Sequence, residues 1–81
     1  MMPLEPVQIA FDRSGLSLGE VCRRLGWRRR DGSADTQRLQ RRMGRQPFSR
    51  NGEQVYQTRI SRRVGLHIIW ACGMHAKDFG L

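Results

Sequence analysis

The sequence has one lysine, two cysteines and no long apolar run, and each shortage excludes something. Cys22 and Cys72 stand fifty positions apart with no CxxC and no second ligand pair at zinc spacing. Cys72 with His75 is half a metal site at most; packing and a helix-end polar group explain the pair, and no metal or other cofactor is expected. No stretch approaches the roughly 18 apolar residues of a membrane span. The first twenty residues lack the basic start and apolar core of a signal peptide, so a cytoplasmic protein is expected. No Ser, His and acid arrangement suggests a nucleophile, and no glycine-rich phosphate loop is present. With 81 residues the chain makes one small domain and buries modest apolar surface. A deep, walled active site does not fit in it, and no enzyme activity is expected.

What the sequence does have is arginine. Fourteen of its fifteen cations are Arg, against seven acids, for a formal charge of +8. A GC-rich coding sequence explains Arg over Lys, but not where the charge sits. Residues 23–63 hold thirteen Arg and three acids, a local balance of +10, while the flanks together carry −2. A focused basic block is the footprint of a phosphate-binding surface.

Local signals divide the chain into helices. Pro6 suits a first helical turn, with Val7, Ala10, Phe11 and Ser14 following at helical spacing and Gly15 as the stop. Ser17 and Glu20 form a capping box for a helix that faces inward through Leu18, Val21, Cys22 and Leu25 and ends at Gly26. A basic loop follows, Arg28-Arg29-Arg30-Asp31-Gly32. Ser33 is the expected N-cap of a third helix through Met43, whose apolar stripe is only Leu39 and Met43. Asn51-Gly52 predicts a β-hairpin near 48–56, pairing Phe48 with Val55 and Arg50 with Glu53. Ser61 caps a fourth helix in which Ile60, Val64, Ile68 and Ala71 share a face, with Gly65 inside the pattern and Gly73 closing it. A last short turn over 76–80 uses Phe79 and Leu81 as plugs. The expectation is a single, mainly α domain spanning 1–81.

Residues 16–27, Leu-Ser-Leu-Gly-Glu-Val-Cys-Arg-Arg-Leu-Gly-Trp, resemble the first half of the motif in the λ repressor/Cro-like helix-turn-helix (XRE) family. Gly15-Leu16-Ser17 leads in, Cys22 stands where that family prefers a small residue, and Leu25-Gly26-Trp27 makes the turn. The stretch 71–81 is similar to the closing helix pair of such domains. The resemblance implies a compact four- to five-helix domain of phage or actinobacterial type that binds double-stranded DNA as a transcriptional regulator. This sequence departs from the family in three places. Leu18 replaces a Gln that often touches phosphate, the turn is lengthened by Arg28–Gly32, and the Asn51-Gly52 hairpin is an addition.

On an ideal helix with Leu39 and Met43 inward, Gln37 and Arg41 face outward, flanked by Arg38 and Gln40, with Ala34 at the entering end. Gln suits adenine and Arg suits guanine, so these five are the candidate base readers; a solvated charged face is the bland alternative. Arg42 is nearer the core side and is assigned to phosphate or to an acid such as Asp35. Arg28, Arg29, Arg30, Arg50, Arg59 and Arg62 are the remaining phosphate candidates, against mobile or merely solvated clusters. Trp70, Met74, Phe79 and Leu81 form an apolar end that serves a homodimer or closes the monomer core. Two rival roles stay open: an excisionase-like protein that bends DNA, and an antirepressor-type module that binds an acidic protein. RNA is disfavoured, because Trp27, Phe48 and Tyr56 make no clear stacking platform.

Overall fold

Three helices build the body. The computed structural model describes residues 1–81. Helix α1, Glu5–Ser14, carries Pro6 in its first turn and Glu5 at its positive end, and stops at Gly15. Helix α2, Leu18–Leu25, starts with the expected capping box. The Glu20 N–H donates to Ser17 Oγ at 3.1 Å, and Glu20 Oε1 accepts from the Ser17 N–H at 3.2 Å. Helix α4, Arg62–Ala71, is capped by Ser61, whose Oγ accepts from the Val64 N–H at 3.3 Å. Its packing against α1 and α2 encloses one apolar cluster that includes Val7, Ala10, Val21, Leu25, Ile68 and Ile69. Ile69, absent from the expected stripe, is fully buried between those helices. Arg24 adds a tie, donating to the Ala71 carbonyl at 3.2 Å.

Helix α3, Thr36–Arg42, crosses α2 and is only seven residues long. Leu39 and Met43 anchor it and are fully buried, as their spacing predicts. Its start differs from expectation. The N-cap is Asp35, whose Oδ1 accepts from the Arg38 N–H at 3.2 Å. Ser33 is turned into the preceding loop, where its N–H and hydroxyl both donate to Asp31 Oδ1 at 2.9 and 2.6 Å. The loop decides between these two caps. Residues 28 and 34 pair across it, Arg29 N–H donates to the Ser33 carbonyl at 2.7 Å, and Asp35 N–H donates to the Trp27 carbonyl at 3.0 Å. Those bonds hold 33–34 extended, so Ala34 precedes α3 and packs half-buried against the core rather than entering a reading face.

The hairpin forms in the expected register. Strand β2, Phe48–Arg50, pairs antiparallel with β3, Glu53–Val55, placing Phe48 opposite Val55 and Arg50 opposite Glu53. Asn51 and Gly52 take the positive φ values, 52° and 80°, that a two-residue turn requires. A second ribbon has no counterpart in the sequence pattern. Strand β1, Met2–Pro3, pairs with β4, Arg59–Ile60. Ile60 is therefore buried from a strand and not from α4. Met2 passes so close over α4 that a Cβ at Gly65 would lie 2.6 Å from its Sδ, which explains a glycine inside that helix. After Gly73, a 3₁₀ turn, Ala76–Phe79, sets Phe79 and Leu81 against the core.

Gly44, which follows α3, combines φ 73° with a tight site: a Cβ there would meet the Gln57 carbonyl oxygen at 2.5 Å and Leu4 Cδ1 at 2.7 Å. Backbone cannot yield as a side-chain tip can. Gly44→Ala is expected to cost about 2 kcal/mol or more from left-handed strain and overpacking together. Thermal unfolding followed by circular dichroism should show Tm lower by roughly 10 °C.

Candidate nucleic-acid interface

The α3 face is built on three contacts beneath it. Cys22 is fully buried at the crossing, and its thiol donates weakly to the Asp35 carbonyl at 3.4 Å. Burial, and next the Asp35 charge, raise the pKa of that thiol and keep it neutral. A larger side chain at 22 would push α3 away, so the small residue acts in packing. Trp27 is 8% exposed and supports Arg38, whose guanidinium carbon lies 4.2 Å above the ring centroid. Arg29 Nε lies 3.8 Å from Asp35 Oδ1, which ties the basic loop to the cap. Of the two roles expected for Arg42, phosphate or an acid such as Asp35, the second is not formed: the ion partner of Asp35 is Arg29.

The far end of α3 is clasped by α1. Gln8 Nε2 donates to the Met43 carbonyl at 2.7 Å, and Arg45 makes two 2.7 Å hydrogen bonds to the carboxylate of Asp12. Both ends of the short helix are thereby fixed to the body. Its outward face shows Gln37, Arg38 and Arg41 exposed, with Gln40 and Arg42 half-buried.

Two open grooves run beside this face. The first, about 470 Å³, is lined by Asp35, Arg38, Arg41, Arg42, Phe48 and Gln57. The second, about 340 Å³, lies along the hairpin and is lined by Met1, Phe48, Arg50, Val55, Tyr56, Gln57, Thr58 and Arg59. Phe48 and Gln57 belong to both, so the two make one surface. The fold thus brings Arg38, Arg41, Arg42, Arg50 and Arg59 together. Gln37 and Gln40 sit on α3 but outside the groove walls, and Arg62 lines neither groove. Arg28 is folded back, with Nη1 3.4 Å from the Gly32 carbonyl, whereas Arg30 is exposed and unpaired. Tyr56 and Gln57 were not singled out as site residues from the sequence. They reach the surface because the Gln57 backbone returns beside Gly44, just past α3, an approach that leaves no periodic signal in the sequence.

Elsewhere, Met74, Phe79 and Leu81 pack partly against the core, while Trp70 is 58% exposed. Its ring stacks on His67 at 5.7 Å between centroids. Cys72 is buried, and burial lifts its pKa to about 11. No three His, Cys, Asp or Glu side chains gather at one point, and no helix is long and apolar enough to cross a membrane. No protein-family model, curated protein or solved structure matches the chain.

Three carboxylates carry an acid-side dependence. Asp12 is held below its ordinary value by hydrogen bonds from Arg45, Glu20 by those from Ser17, and Asp31 by those from Ser33. A depressed folded pKa means stability that is present above the unfolded value and lost as pH falls through the folded one. Urea midpoints should hold from neutrality down to about pH 4.5, the ordinary glutamate value, and decline below it. Asp12→Asn should lower the neutral midpoint and flatten that decline.

Proposed function

We propose that the chain is a sequence-specific double-stranded DNA-binding regulator of the helix-turn-helix kind, with α3 lying in the major groove. The observation that carries this reading is the continuous surface of α3 and the hairpin. Five arginines line its two grooves against one carboxylate, Asp35, which is already engaged as a cap and with Arg29. A helix with its side chains is about 10–12 Å across and the major groove is about 12 Å wide, so an exposed cationic helix anchored from behind fits it. In this arrangement α2 crosses the backbone, α3 offers Gln37, Arg38 and Arg41 to base edges, and Arg42 and Arg30 meet phosphates. The hairpin lies along the adjoining backbone with Arg50, and Arg59 of β4 stands beside it. Binding by two copies at paired half-sites is part of the proposal, with Trp70 as the contact. Such a role belongs in the cytoplasm, on the nucleoid or on phage DNA.

The hairpin favours a second reading, an architectural protein that bends DNA by pressing Arg50 at its tip into a minor groove. Circular-permutation gel shifts separate the two: large, position-dependent mobility differences support bending, and none supports a regulator that reads straight duplex.

Selection of binding sites from random duplex DNA tests the base-reading assignment. A defined motif is expected, with Gln37→Ala and Arg41→Ala each relaxing preference at one position by about 1–3 kcal/mol. Failure to enrich any duplex, alongside capture of an acidic protein, would overturn the reading in favour of the antirepressor type.

The loop arginines should act differently. Replacing Arg28, Arg29 and Arg30 together with Ala is expected to weaken all duplexes alike and to reduce the slope of log K against log salt by about 1 or more. Titrations at several salt concentrations measure it.

A further inference from the structure

One arginine on the groove wall is held differently from the others. The Arg38 side chain makes no hydrogen bond and no salt bridge; its guanidinium carbon lies over the Trp27 ring, 4.2 Å from the centroid. The Trp27 main chain is fixed at both sides of the connection, because its backbone N–H donates to the Cys22 carbonyl at 2.9 Å and its carbonyl accepts from the Asp35 N–H at 3.0 Å, and the side chain is buried. The platform is therefore anchored to the end of α2 and the start of α3. Stacking satisfies the face of a guanidinium and leaves the N–H groups around its edge open. An open fork supported on an aromatic ring suits two coplanar acceptors side by side, and guanine N7 and O6 present them in the major groove. A phosphate also offers paired acceptors, but loss of a phosphate contact weakens every duplex alike, which separates the two ligands. Gln37 and Arg41 are exposed with no comparable support.

We propose that Arg38 is the guanine-reading residue of α3 and that Trp27 is its positioning residue, holding the guanidinium in place before DNA arrives. This rests on the duplex-binding reading above, and it ranks Arg38 over Gln37 and Arg41 as the main source of sequence choice. A stacked arginine loses little freedom on binding, so its contact discriminates more than that of a mobile side chain at the same distance.

The test uses the full chain and the duplex enriched by selection. Each guanine in the motif is replaced in turn by 7-deazaguanine, which lacks the N7 acceptor, and Kd is read by fluorescence anisotropy. One guanine should emerge at which the replacement weakens the wild type by about 5- to 100-fold. At that position Arg38→Ala and Arg38→Lys should both be insensitive, since lysine keeps the charge but not the fork. Trp27→Leu should lose the same discrimination while keeping the wild-type salt slope, and should add nothing in an Arg38→Ala background. Should Trp27→Leu fail to fold by circular dichroism, Trp27→Phe replaces it and should show an intermediate loss. If the sensitive guanine remains sensitive in Arg38→Ala, the assignment is wrong. It is equally wrong if Arg38→Ala weakens every duplex alike and lowers the salt slope, which is the mark of a phosphate contact. An absent motif sinks the duplex-reading function itself, whereas a clear motif with these Arg38 results reversed overturns this inference alone.

Discussion

Asp35 is the residue on which the cationic face depends. Its side chain caps α3 and faces Arg29, its N–H closes the loop onto the Trp27 carbonyl, and its own carbonyl receives the Cys22 thiol. Four contacts at one residue settle where a seven-residue helix begins and at what angle it leaves α2. A helix that short is not stable by its own hydrogen bonds. It exists because its first turn is pinned by Asp35, its middle by buried Leu39, and its last turn by buried Met43 and the clasp from Gln8.

The rest of the arginine charge is left without an internal acid. Only Asp12–Arg45 and Arg29–Asp35 are ion pairs, although the chain has fourteen arginines. Arg62 and Arg63 even occupy the first turn of α4, at the positive end of the helix, with no acid beside them. Such a distribution costs a small domain stability through self-repulsion, and an approaching polyanion removes that cost. The apolar cluster beneath consists of fifteen buried residues. It supplies rigidity to the body while the charged side chains stand outside it.

Features that depend on neighbours in sequence could be read directly. The Ser17–Glu20 box, the Asn51-Gly52 turn with its register, and the buried Leu39–Met43 pair each need only a few adjacent residues to be specified. Features set by distant parts of the chain could not. Ser33 and Asp35 are both good caps, and the hydrogen bonds across the loop choose between them, which moved Ala34 out of the helix. Trp27 and Trp70 look alike as letters, yet one lies under an arginine and the other stands in solvent. The groove that joins α3 to the hairpin exists because Gln57 returns beside Gly44, a contact no local pattern announces. The arginine block was plain in the sequence; which members share a surface was a tertiary matter.

The pairing of Met2 with Ile60 has a practical side. It brings the opening of the chain to the rim of the hairpin groove, where Met1 stands 79% exposed next to Tyr56 and Arg59. Any polypeptide joined ahead of Met1 therefore emerges at the mouth of that groove and competes for the space beside it. A purification handle placed there would obstruct that groove.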